Sequence, residues 1–70
     1  MRADDLLSRL RRIAKERGEE LREREGRGAH VVVRLSGLQT SISMHRGDMP
    51  QGTYQGILKA LGLKPKDVER

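Results

Sequence analysis

Apolar residues recur at helical spacing near the start of the chain. Leu6, Leu7, Leu10, Ile13 and Ala14 fall on one side of a 3.6-residue repeat, with charged positions between them. This predicts an amphipathic helix. Asp4-Asp5 stand at its start, where carboxylates suit the positive end of the dipole, and Gly18 suits the stop just past its end. Residues 19–25, bounded by Gly18 and Gly26, fit a short edge strand whose charges discourage stray pairing, with Leu21 as its core residue. From His30 the period changes to two. Val31, Val33 and Leu35 then share one face of a strand, and His30, Val32 and Arg34 the other. Stacked β-branched side chains suit a pleated surface and crowd a helix. Thr40-Ser41-Ile42-Ser43-Met44-His45 reads as the hairpin partner of this strand. Residues 46–52 make a loop. Tyr54, Ile57, Leu58 and Leu61 return to helical spacing, so a second helix runs from near Thr53 to Gly62. Lys64-Pro65-Lys66-Asp67 is a turn or a short third helix with proline at its first position. The order is α-β-β-β-α: an α+β fold with a three-stranded antiparallel sheet and both helices on one face.

The hairpin register follows from the loop. With Gly37-Leu38 as a two-residue connection, Gly37 suits the first position of a type II′ turn. Val33 then meets Ile42, Val31 meets Met44, and His30 meets His45. Two imidazoles would stand side by side on one face, with Cβ atoms about 4.5–5.5 Å apart. A one-residue slip would separate them and spoil the apolar matches.

Composition narrows the class. A chain of 70 residues is a single domain, and a core of this size rarely supplies more than about 3–5 kcal/mol net. With 34% hydrophobic and 36% charged residues, marginal stability and a partner that adds to it are expected. There is no cysteine, which excludes disulfides and thiolate chemistry and suits a reducing cytoplasm. No apolar run approaches the roughly 20 residues that span a bilayer, and the N-terminus lacks the apolar segment of a signal peptide. The net charge of +5 favours polyanions, nucleic acid first. Residues 1–28 hold nine Lys/Arg and seven Asp/Glu, and residues 29–70 hold six and three. On the first helix Arg9, Arg12 and Glu16, flanked by Arg11 and Lys15, form either a solvated face or a phosphate-contacting ridge.

Candidate chemistry gathers at Gly26-Arg27-Gly28-Ala29-His30. Glycines allow close backbone approach to a ligand and positive φ, and the histidine opens the strand. By itself this pattern also fits an ordinary half-exposed strand histidine. No third ligand accompanies the two histidines as a zinc site needs, and Asp48 is a loop acid, so neither a metal nor another cofactor is expected. Gly26-Arg27-Gly28 lacks the strand-to-helix setting of a nucleotide-binding loop. Arg46-Gly47-Asp48 is no adhesion signal. Tyr54 occupies an apolar helix position and belongs to the core rather than to a base-stacking platform.

Taken together, these residues resemble the HicA-like toxins, small messenger-RNA-cleaving proteins of bacterial toxin–antitoxin pairs. The resemblance rests on Gly28-Ala29-His30 opening a strand, on His45-Arg46-Gly47-Asp48, and most strongly on Gly52-Thr53-Tyr54-Gln55-Gly56-Ile57-Leu58-Lys59-Ala60-Leu61-Gly62-Leu63. That last stretch is similar to the family's Gly-Thr-Leu-x-x-Ile-Leu-Lys-x-x-Gly-Leu. Ala29 stands where the family has Ser, and Ser43-Met44 where it often has Pro-Arg. The resemblance implies a double-stranded-RNA-binding-domain-like fold, ribosome-independent RNA cleavage, a catalytic His30, and neutralisation by a HicB-like antitoxin. An antitoxin of this kind is expected to lie across the face bearing His30, Val32 and Arg34, or to plug the groove beside it.

Metal-free RNA cleavage asks little of a protein. The 2′-hydroxyl attacks the adjacent phosphate, a base takes its proton, and an acid protonates the leaving 5′-oxygen. Imidazole suits either role near neutral pH. His30 is the expected catalyst and His45 a second acid or base, unless it pairs only structurally. Arg27, Gly28, Arg34, Arg46 and Lys59 are the candidate RNA contacts, with the arginines offsetting charge on the phosphorane. A non-catalytic RNA-binding module and a protein whose main role is to occupy its antitoxin are the competing expectations.

Overall fold

A computed structural model describes residues 1–70. Its elements are α1 (Ala3–Glu16), β1 (Arg22–Glu25), β2 (His30–Leu35), β3 (Leu38–Ser43), α2 (Gln51–Ala60) and α3 (Pro65–Val68). The strands form one antiparallel sheet in the order β1-β2-β3. This is the α+β, α-β-β-β-α layout that the periodicities predict, with the short third helix realised.

Both long helices end where glycine allows. Past α1, Gly18 donates to the Lys15 carbonyl at 3.1 Å and Glu19 to that of Ala14 at 2.8 Å. Past α2, Gly62 and Leu63 repeat the pattern onto Lys59 and Leu58 at 3.1 and 2.8 Å. These paired bonds satisfy carbonyls that a helix end otherwise strands. The start of α2 differs from expectation. It begins at Gln51, two residues before Thr53, and with β3 ending at Ser43 the loop is displaced to residues 44–50. Pro50 precedes it at φ −58°, a ring-fixed angle at a site that requires no N–H donor, and its carbonyl accepts from Tyr54 at 3.0 Å.

The core lies between the helices and one face of the sheet. It contains Leu6, Leu7, Leu10, Ile13 and Ala14 of α1, Val33 and Leu35 of β2, Ile42 of β3 and Tyr54, Ile57 and Leu58 of α2. Val31 and Leu21 pack at its edge, half-buried. The alternation along β2 therefore holds: Val33 and Leu35 are buried inward, while His30 and Arg34 are exposed on the other side.

The basic residues of α1 lie on a solvated face, as one reading expected, with Arg9 half-buried, and three of them are engaged within the chain rather than forming a free ridge. Arg9 and Arg12 donate to the Val68 carbonyl at 3.0 and 3.3 Å, closing the end of α3. Arg11 grips both oxygens of Glu23 at 2.8 and 2.7 Å, tying α1 to β1. Arg70 pairs with Glu16. These four guanidiniums are occupied within the chain.

The hairpin register is displaced by two residues. His30 pairs with Ser43, Val31 with Ile42, Val33 with Thr40 and Leu35 with Leu38. The connection is Ser36-Gly37 rather than Gly37-Leu38. Both residues hold positive φ, +54° and +80°, as a type I′ turn requires. That turn matches the twist of the flanking strands. It also frees Leu38 to enter β3, where its side chain lies against Gly62 beyond α2. A shift of two keeps every side chain on its face, so the core assignment survives and only the cross-strand partners change. The pairing of His30 with His45 is lost. No helix is long and apolar enough to cross a membrane.

Candidate active site

His30 is placed by a four-residue turn. The chain reverses over Arg27-Gly28-Ala29-His30, with the His30 amide donating to the Arg27 carbonyl at 3.2 Å. Gly28 holds φ +60° at the first central position while Ala29 does not, the pattern of a type II′ turn. The same carbonyl lies 2.8 Å from the His30 Nδ1. A carbonyl can only accept, so Nδ1 carries the proton and donates. In the neutral ring the lone pair is therefore on Nε2. The side chain is exposed at the head of the central strand. The fold thus delivers one oriented imidazole, with its basic nitrogen free of protein partners, to an open surface.

Gly26 serves this arrangement differently from the sequence expectation. Its φ is not positive, and it faces the histidine rather than an open approach path. A Cβ built there would lie 3.3 Å from the His30 Cβ and 3.5 Å from a Val32 methyl. Any larger residue pushes on the catalytic candidate. Beside His30 on the neighbouring strand, the Ser43 hydroxyl is buried without a hydrogen-bond partner.

The face around His30 is cationic. Residues directly opposite in an antiparallel pair point to the same side. Arg22 opposes Arg34 and Arg24 opposes Val32, so all three arginines share the open face with His30. Gln39, Ser41 and Ser43 line it from β3. Arg22, Arg24, Val32, Arg34 and Gln39 line an open groove of about 660 Å³, together with Glu20, Leu21 and Glu23. Glu23 and Glu25 alternate to the helix side. There Glu23 is held by Arg11, whose hydrogen bonds keep its carboxyl below the usual carboxylate range. None of Arg22, Arg24 and Arg34 has a carboxylate within ion-pair distance.

The other sequence-predicted residues scatter. Arg27 lies in the turn, its carbonyl engaged and its guanidinium unpaired. Arg34 is on the His30 face, four residues along β2, about 13 Å at the rise of an extended strand. His45 lies beyond β3 and lines a hollow of about 120 Å³ with Arg2, Ala3, Asp4, Met44 and Arg46, at the start of α1. Lys59 is exposed in the last turn of α2, in the helix layer. Asp48 is not a loose acid: its main chain pairs with that of Arg2 in an isolated β-bridge, and its carboxylate lies 3.5 Å from the N-terminal amine. Tyr54 is buried, donating to Glu69 at 2.7 Å. Burial first, and then that hydrogen bond, push its hydroxyl up to about 12. Arg22 and Arg24 are the residues that sequence reasoning missed. Their signal was the strict Arg-Glu alternation of Arg22-Glu23-Arg24-Glu25, which on a strand sends one sign of charge to each face.

The site defines an α+β chain with a single oriented histidine on an arginine-bearing sheet face. No protein-family model, curated protein or solved structure matches it.

Proposed function

We propose that this protein is an RNA endonuclease of the toxin type, with His30 as its general base. The observation that carries the reading is the Nδ1 contact to the Arg27 carbonyl, which supports a free, outward Nε2 on a cationic surface. Nε2 takes the proton of a ribose 2′-hydroxyl as that oxygen attacks the adjacent phosphorus. The bond to the 5′-oxygen breaks, leaving a 2′,3′-cyclic phosphate on one fragment. The departing 5′-oxygen takes its proton from water, because His45 is not positioned opposite His30. The Arg27 guanidinium, carried by the turn that holds the ring, offsets charge gathering on the phosphorane. An HicB-like antitoxin would silence the protein in the cytoplasm by covering His30, in keeping with the sequence resemblance.

The test is cleavage of a transcript by the wild type and by His30→Ala. Loss of a positioned general base costs about 100-fold or more. Products should end in a cyclic phosphate, and a 2′-deoxy substitution at the cut should block the reaction. Undiminished cleavage by the variant overturns the assignment. The cationic face would also serve a non-catalytic RNA-binding module; wild-type protein that binds RNA without cutting it selects that reading.

A further inference from the structure

We infer that the open face of the sheet is a track for the sugar–phosphate backbone of single-stranded RNA, held by Arg22, Arg24 and Arg34. This deepens the proposed function by naming how its substrate is held. Arg22 and Arg34 stand directly opposite each other, and Arg24 is diagonal to Arg34. Like charges so placed repel and destabilise a sheet. Their natural counter-ions within the strands, Glu23 and Glu25, point to the other side. An anion lying between the guanidiniums relieves that repulsion, and the guanidinium fork matches phosphate oxygens.

The occupant follows from what the face lacks. Val32 and the half-buried Leu21 at its edge are its apolar side chains, too little for the apolar centre of a protein interface. The one Phe, Tyr or Trp residue, Tyr54, is buried elsewhere, so the face lacks the large rings of a base-stacking platform. Recognition is therefore of the backbone and independent of sequence. A single strand fits better than a duplex. Attack by a 2′-hydroxyl needs its oxygen in line with the leaving oxygen, and an unpaired linkage reaches that geometry where a helix resists it. One end of the track is His30 and the other is Arg34, on the same face of one strand. RNA held by the arginines extends back over the ring.

The experiment is fluorescence anisotropy with a fully 2′-O-methylated single strand, which binds but cannot be cut. Wild type is compared with Arg22→Gln/Arg24→Gln/Arg34→Gln, and with a charge-matched control on the helix layer, Lys15→Gln/Lys64→Gln/Lys66→Gln. The arginine variant should lose about tenfold or more in affinity. Its dependence of log affinity on log salt should flatten by about 2, at roughly 0.7 per phosphate contact on a single strand. The control should bind nearly as wild type does. Single Arg34→Gln, in a chain checked for its fold by circular dichroism, should show about one third of the slope change. Equal losses in both triple variants, or tighter binding of polyglutamate than of RNA at matched charge, overturn the inference. If the arginine triple loses binding while wild type cuts no transcript, the track stands and the catalytic reading falls. If wild type cuts and the triple cuts with unchanged KM, the track falls alone.

Discussion

At His30 the useful proton is held by main chain rather than by a side chain. Replacing Arg27 with any residue leaves the carbonyl, the Nδ1 bond and the free Nε2 in place; Arg27→Ala should therefore cut RNA more slowly but still cut it, read by single-turnover cleavage. Gly26→Ala acts the other way. Its Cβ meets the His30 Cβ at 3.3 Å, and a ring displaced by a fraction of an ångström should cost roughly tenfold in cleavage. The thermal midpoint should change little, and single-turnover cleavage beside a melting curve checks both. Tyr54 supplies a pH test. Its hydroxyl is pushed from 10.0 up to about 12, so the fold favours the neutral phenol. That contribution is fully present below pH 10 and is lost as pH rises through about 12. Tyr54→Phe should abolish this alkaline loss of stability, read by chemical denaturation across that range. Period-two alternation made the side of the sheet occupied by His30 legible in the sequence. The bond at its Nδ1 was not, because it depends on the exact turn between β1 and β2.

Elements were easier to read than their pairings. Apolar spacing located α1 and α2, and glycines marked their ends. The hairpin slipped by two residues because a shift of two moves no side chain to the other face, so periodicity cannot detect it. Only turn chemistry could, and Ser36 in a left-handed conformation is an unusual choice. Asparagine tolerates that conformation better and makes the favoured Asn-Gly pair. Ser36→Asn should therefore raise stability by about 0.5 kcal/mol, visible as a higher denaturant midpoint at constant slope. The Arg11–Glu23 tie between α1 and β1 gives a second pH dependence. The folded Glu23 carboxyl lies below its ordinary value because Arg11 donates to it. The tie contributes above the unfolded value and is lost as pH falls through the folded one. Glu23→Gln should flatten the acid side of the stability curve, measured by thermal midpoint against pH.

The whole molecule has a small reserve. Its core is a single cluster of 15 residues. Leu10 is fully buried within it, and truncation of such a side chain costs about 2–5 kcal/mol. A domain of this size has about 3–5 kcal/mol in total. Leu10→Ala should therefore be largely unfolded at room temperature by circular dichroism. The α+β class was legible because one apolar face per element admits few arrangements. The arginine groove was not, because it assembles from two strands whose pairing the sequence left open. Its consequence reaches beyond contact distance. The strands direct Arg22, Arg24 and Arg34 to that broad side and place no strand carboxylate among them, with Glu20 beside the groove. The sheet side therefore presents a local excess of positive charge from Arg22, Arg24 and Arg34. A drifting polyanion is turned toward the imidazole before the two surfaces touch, so productive encounters should outnumber those that random collision would give.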